Sequence, residues 1–209
     1  GKKGSAADQA KGDGTVDIKG DSKYVTVAYN RFWDNGKASM CGMKSETGEN
    51  WITYHHNWFD HSDSRMARVR TMSVHMYNNY YQHCDVYGIG ATSGSSIFME
   101  SNYFDAVKRP IMSSLQGTDA KGDGTFSGEK GGLIKAYGNV FTNKPANFSY
   151  IPYAENNTSF DAYEVSHPSE QVPASVKTLV GGTSYDNFDT NPSLMYAYAA
   201  DKAEDVPSI

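Results

Sequence analysis

The sequence predicts an all-β chain wound as a parallel solenoid. Three observations carry that prediction: one residue pattern recurs five times in a single register, glycine and aromatic residues are abundant, and few stretches have the apolar spacing of a helix. The pattern is an aliphatic residue, an Asn five positions later and an aromatic two beyond that. It runs through Val25, Asn30 and Phe32, then Ile52, Asn57 and Phe59, then Val74, Asn79 and Tyr81. Ile97, Asn102 and Phe104 repeat it, as do Ile134, Asn139 and Phe141.

Successive asparagines lie 27, 22, 23 and 37 residues apart, and the first three intervals fit one solenoid coil each. The long interval contains Gly117 to Gly132, rich in Gly, Asp and Lys, which reads as an inserted loop. The segments around each Asn alternate Val, Ile, Thr, Tyr and Phe as short strands do. Stacked coils put equivalent residues about 4.8 Å apart, so the asparagines are expected to lie above one another at a bend. Asn tolerates a left-handed backbone and can hydrogen-bond up and down such a stack. The aromatics two residues on are expected to stack inside the coil. The competing fold is a β-sandwich in which the Asn-aromatic turns coincide by accident.

Composition narrows the function. The 209 residues make one domain, and 38% hydrophobic with 21% charged residues is the balance of a folded globular chain rather than a disordered one. No run of eighteen apolar residues occurs, and residues 1–11 contain no apolar signal core. The net charge of -5 argues against a general nucleic-acid binder. Neither a membrane nor nucleic acid is therefore expected as a partner. Two cysteines, Cys41 and Cys84, can pair only if the fold brings them together, and two thiols make no disulfide framework.

Stacking turns distant residues into neighbours, so the charges that share a face become the candidate site. Asp13 and Asp17 stand four apart. Lys37 follows the first Asn of the repeat by seven residues, Arg65 follows the second by eight, and Arg68 and Arg70 come next. These offsets place Lys37 and Arg65 near one edge on adjacent coils, with the two acids a coil further along. Paired carboxylates suit Ca²⁺ rather than Zn²⁺, and the cations suit an anionic polymer. Taken singly, each signal is also what a solvated surface or the outward half of a strand gives. His55 and His56 are adjacent on a strand and are expected to point to opposite faces, which disfavours a shared metal and favours one buried, hydrogen-bonded imidazole.

The segments Asp13-Gly-Thr-Val-Asp-Ile18, Tyr24-Val-Thr-Val-Ala-Tyr-Asn30, Ile52-Thr-Tyr-His-His-Asn57, Arg65-Met-Ala-Arg-Val-Arg70 and Val74-His-Met-Tyr-Asn-Asn-Tyr-Tyr81 together resemble the pectate lyase family (polysaccharide lyase family 1). The resemblance runs in order from about Asp13 to Phe141, including the weaker Gly88-Ile-Gly-Ala91 and Glu100-Ser-Asn-Tyr-Phe104, and fades over 145–209. It implies a right-handed, single-stranded parallel β-helix over 1–209, with 145–209 as a loop-rich segment packed on it. It implies Ca²⁺ at Asp13 and Asp17, substrate binding by Lys37, Arg70 and Arg68, and Arg65 as the base. The implied reaction is Ca²⁺-dependent β-elimination on polygalacturonate or pectin, giving unsaturated oligogalacturonides, by a protein acting in a secreted, periplasmic or cell-surface setting.

The sequence departs from the family at Asn35-Gly36-Lys37, where the family has His-Asp-Lys, and at Ala67 and Met72, where it has Pro and Gly. A further acidic Ca²⁺ ligand and the amino-terminal coils of the family precede the Asp13 position. The expectation is therefore the C-terminal portion of a β-helix, completed by an upstream piece of the same protein and otherwise monomeric. A free guanidinium holds its proton to above about pH 12, so an arginine base relies on cationic neighbours to loosen it. Alternative readings are a non-catalytic pectin-binding β-helix and a pectin lyase acting on the methylated polymer. A hydrolase on the same fold would need an inverting carboxylate set, and its signatures are not found in the sequence.

Overall fold

The computed structural model describes residues 14–43, 46 and 49–209. Each coil contributes three short strands. The first has β1 (Val16–Ile18), β2 (Thr26–Ala28) and β3 (Arg31–Trp33), and the second β4 (Ser39–Cys41), β5 (Ile52–His55) and β6 (Trp58–Asp60). The third has β7 (Arg68–Arg70), β8 (Ser73–Tyr77) and β9 (Tyr80–Gln82), and the fourth β10 (Ile89–Thr92), β11 (Ser96–Glu100) and β12 (Tyr103–Asp105). β13 (Ile111–Ser113), β14 (Leu133–Tyr137) and β15 (Val140–Thr142) follow, and β16 (Tyr163–Glu164) adds an edge strand. Equivalent strands pair in parallel: sheet A runs β1-β4-β7-β10-β13, sheet B β16-β14-β11-β8-β5-β2, and sheet C β15-β12-β9-β6-β3. This is the parallel β-helix that the repeat predicts.

The bend between sheets B and C shows how the repeat builds the coil. Asn30 Nδ2 donates to Asn57 Oδ1 at 3.2 Å, Asn57 to Asn79 at 3.0 Å, Asn79 to Asn102 at 3.1 Å and Asn102 to Asn139 at 2.9 Å. Each acceptor oxygen also takes the backbone N–H of the preceding Asn, from 3.0 to 3.2 Å. The second amide hydrogen is used as well, since Asn57, Asn79 and Asn102 donate to the carbonyls of Val27, Tyr54 and Met76. Asn57, Asn79 and Asn102 are at most 1% exposed, so a buried polar column is fully hydrogen-bonded by repetition alone. Beside it Phe32, Phe59, Tyr81 and Phe104 stack with centroids 4.7, 5.0 and 4.5 Å apart, and Phe141 closes the row.

One detail differs from expectation. The left-handed residue at this bend is the one before each Asn: Tyr29, His56, Asn78 and Ser101 have φ of 56°, 52°, 50° and 49°, and Gly138 has 61°. The backbone turns at that residue, which frees the Asn side chain to bond along the stack. Cys41 and Cys84 are both buried and are not joined in a disulfide, and burial pushes the Cys41 thiol up to about 12.

Inside, Ile52, Val74, Ile97 and Ile134 form one row on sheet B, and Ile18, Cys41, Val69 and Ala91 another on sheet A. The outer face of sheet B is covered by the C-terminal segment. Lys135 Nζ donates to Asp189 Oδ2 at 2.6 Å, both side chains being 0% exposed, and Tyr196 meets His75 Nδ1 at 2.8 Å. That segment therefore lies on a different face from the arginines of sheet A.

Candidate active site

Strand alternation on β7 turns Val69 into the core and Arg68 and Arg70 outward. Parallel register then makes an outer column across the coils: Asp17, Met40, Arg68, Gly90 and Met112. Arg70 sits beside it, opposite Thr92. Asp17 is exposed on the first coil, and its Oδ1 accepts the Met40 N–H at 3.1 Å. Gly14 has φ of 65°, and a Cβ there would run into the Asp17 carboxylate, so glycine lets the chain pass closely around that acid.

Lys37 and Arg65 stand where the chain enters β4 and β7. Lys37 forms a parallel bridge with Ser64, and the Arg65 carbonyl accepts the Ser39 N–H at 2.7 Å, so the two cations lie on adjacent coils and one residue out of step. Both are half-buried. Asp13 falls outside the described residues. Of the six residues singled out from the sequence, the structure thus brings Asp17, Arg68 and Arg70 onto the outer face of sheet A and sets Lys37 and Arg65 in the turns that lead into its strands.

Arg68 and Arg70 are not open to solvent, however, at 2% and 8% exposed. The inserted loop between β13 and β14 folds back over them. Phe126 covers Arg68, whose Cζ is 5.4 Å from the ring centroid and whose Nη2 donates to the Phe126 carbonyl at 2.9 Å. Gly90 makes room for that ring, because a Cβ there would meet Phe126 Cε1 at 2.6 Å and Tyr87 Cε2 at 2.9 Å. Glu129 from the same loop accepts Arg70 Nε–H on both oxygens, at 3.0 and 2.9 Å, and pairs with Arg68 Nη2 at 3.1 Å. The Thr92 and Ser93 hydroxyls donate to its Oε2 at 2.9 and 3.3 Å. Burial raises the Glu129 pKa, but the Arg70 and Thr92 hydrogen bonds and the two guanidinium charges outweigh it and hold the carboxyl at about 2. Arg68 is shifted down, mainly by burial.

Tyr87 completes the cluster. It is 2% exposed, packs edge-on against Phe126 at 5.1 Å, and burial pushes its phenol up to about 12 against the pull of Arg68, Arg65 and Arg70. Sequence reasoning missed Tyr87, Phe126 and Glu129. None belongs to the repeat, and the only signal for Glu129 was an acid in a Gly-rich insertion that two arginines elsewhere required.

The histidine expectation needs correcting. His55 Nδ1 and His56 Nδ1 are 2.8 Å apart, because β5 ends at His55 and the left-handed backbone of His56 swings its ring back beside its neighbour. His56 Nε2 then meets Asp201 Oδ2 at 2.9 Å, and the rings stack on Tyr77 and Tyr29 respectively. The His56 side chain, at 8% exposed and hydrogen-bonded beside Asn57, is the one buried imidazole expected of the pair, so only the opposite-faces expectation fails; His75, at 1% exposed between Tyr196 and Glu100 on sheet B, is a second. Among the described residues no group of three or more His, Cys, Asp or Glu is arranged to hold a metal.

The fold defines the class: a parallel β-helix, with an acid, a lysine and arginines clustered along one of its sheets. The chain belongs to the pectate lyase family, whose model matches residues 2–176. It is 31% identical over 193 residues to pectate lyase C of Dickeya chrysanthemi, covering 92% of this chain and 44% of that protein. It is 37% identical over 102 residues to a pectate trisaccharide-lyase of Bacillus licheniformis, covering 48% of this chain and 30% of that one. Among solved structures, pectate lyase II of Xanthomonas campestris aligns with a TM-score of 0.64 at 26% identity, covering 99% of this chain and 53% of that one. Pectate lyase C from Erwinia chrysanthemi, solved with Ca²⁺, aligns with a TM-score of 0.60 at 26% identity, over 93% and 47%. The chain spans less than half the length of these curated relatives.

Proposed function

We propose that the outer face of sheet A serves β-elimination on polygalacturonate in the whole protein. The observation that carries this reading is the convergence of Asp17, Lys37, Arg65 and Arg70 from three successive coils along one sheet. In this reading Lys37 and Arg70 bind the carboxylate of a galacturonate unit. Arg65 takes the proton from carbon 5, the carbon alpha to that carboxylate. The electron pair left behind forms the carbon 4 to carbon 5 double bond as the bond from carbon 4 to the glycosidic oxygen breaks. Arg68 supports the face from beneath Phe126, and its burial speaks for a role in holding the loop rather than touching sugar.

Ca²⁺ fits the donors this face offers. Asp17 is an exposed hard carboxylate, and Asp13 precedes it by four residues in the sequence. These two acids would hold the ion together with oxygens from elsewhere in the whole protein or from substrate, since Ca²⁺ takes six to eight ligands. When bound, the ion supplies a positive charge that steadies the sugar carboxylate as negative charge develops beside it. The named calcium-containing relative supports this assignment. A substrate of this size also implies action outside the cytoplasm.

The test is ultraviolet absorbance of unsaturated product, set beside reducing-end release, from polygalacturonate with Ca²⁺ and the whole protein. Arg65→Lys should lower the rate by about 10² to 10⁴ and leave the fold intact, as loss of a general base does. Reducing ends without absorbance would mean hydrolysis. Binding with neither product would mean a pectin-binding module, and turnover of only the methylated polymer would mean a pectin lyase.

A further inference from the structure

Arg70 is held on the outer face of sheet A by a partner that the strand repeat does not supply. A long side chain on an outer sheet face ordinarily loses rotamer freedom when it binds a ligand, and that cost weakens binding unless something else has already fixed the side chain. Glu129 fixes this one. Both of its oxygens engage the Nε edge of Arg70, while Arg70 Nη1 reaches across to Met40 Sδ on the neighbouring rung, the rung that also carries the N–H bound by Asp17. The Nε edge is thus turned toward the loop and Nη1 toward the rung that Asp17 also engages.

Glu129 is itself held firmly. Its carboxylate takes donors from Arg68, Arg70, Thr92 and Ser93. Its carbonyl accepts the Ser114 hydroxyl at 2.5 Å, and its N–H donates to the Phe126 carbonyl at 3.2 Å. The ring of Phe126 is seated against Gly90.

We propose that Glu129 is a positioning residue: it clamps the Nε edge of Arg70 so that Nη1 is pre-aimed at a sugar carboxylate. This rests on the reading of sheet A as a polygalacturonate site. The clamp acts before substrate arrives, so it works on substrate engagement rather than on the chemical step.

The experiment uses the whole protein with Ca²⁺, wild type beside Glu129→Gln and Glu129→Asp. Kinetics on polygalacturonate are read together with the arginine Nε–H signals in ¹⁵N-edited NMR. Glu129→Gln should raise KM about tenfold with kcat within about threefold, the pattern for lost ground-state binding. It should also move the Arg70 Nε–H resonance, assigned through Arg70→Lys, away from its carboxylate-bonded position. Glu129→Asp keeps the charge and should recover part of both. If Glu129→Gln does not fold, Glu129→Asp carries the test, with KM raised about threefold. An unchanged KM, or an unmoved Nε–H signal, overturns the proposal while leaving the site reading standing. If wild-type protein neither binds nor cleaves polygalacturonate, the site reading falls and this proposal falls with it.

Discussion

The bend between sheets B and C and the outer face of sheet A solve the same problem in opposite ways. Both bury polar side chains. At the bend every coil supplies the same residue, and each Asn is satisfied by the identical residue above or below it. On sheet A the column changes from coil to coil, Asp17, Met40, Arg68, Gly90 and Met112, and Arg70 beside it is bonded by a loop residue 59 positions away. The repeat is thus a scaffold that positions backbone, and chemistry is written where the repeat is broken. Solenoids permit this because each coil needs only its neighbours for stability, so one face can diverge without unpicking the stack.

The comparison can be broken most severely at the middle of the Asn column. Asn79→Ala strips the acceptor from both the side-chain and backbone N–H groups of Asn57 and removes the donor to the Tyr54 carbonyl, all in a site with no solvent. Orphaned buried groups cost about 1 to 3 kcal/mol each, so the expected loss is about 3 to 4 kcal/mol, read as a lowered urea midpoint. A loss below about 1 kcal/mol would mean that the column relaxes and that repetition is not what stabilises the bend.

A smaller and differently placed effect is expected at Gly90. An added methyl at this position must displace the buried Phe126 ring or Tyr87, and overpacking of this kind costs about 1 to 3 kcal/mol. The damage should fall on the loop: Gly90→Ala should keep the far-ultraviolet circular dichroism of the coils while proteolysis and hydrogen exchange increase over 117–132. Equal loosening of the Asn bend would show that the two regions are one cooperative unit.

The same division explains what was legible in the sequence. The five-fold register located the asparagines, the stacked aromatics and the strands because a parallel stack maps equal sequence offsets onto equal positions in space. It also carried Lys37 and Arg65 to adjacent coils, since they lie seven and eight residues after successive ladder asparagines. What it could not reach were residues outside the register. Glu129 and Phe126 come from an insertion with no repeat to index it, so the burial of Arg68 and Arg70 under that loop was unreadable. The His55 and His56 contact was misjudged for a local reason: strand alternation was extended one residue too far, through a position that the bend holds at φ of 52°.

The smallest expected effect tests whether position in the column, rather than residue type, sets the energy. Asn30 has the same register and the same partners in kind as Asn79, but it occupies the first described rung and is exposed. Its side chain donates to the Ala28 carbonyl at 2.8 Å and to Asn57 Oδ1 at 3.2 Å. Asn30→Ala removes both bonds, yet Asn57 Oδ1 keeps the backbone N–H of residue 30, and the Ala28 carbonyl lies where water can replace the lost donor. Exchanging a protein donor for water costs about 0.5 to 1 kcal/mol, so Asn30→Ala should move the urea midpoint by no more than about a third of the Asn79→Ala shift. Equal shifts for the two substitutions would mean that burial does not grade the column, and the contrast between a self-satisfying bend and a loop-satisfied face would lose its energetic basis.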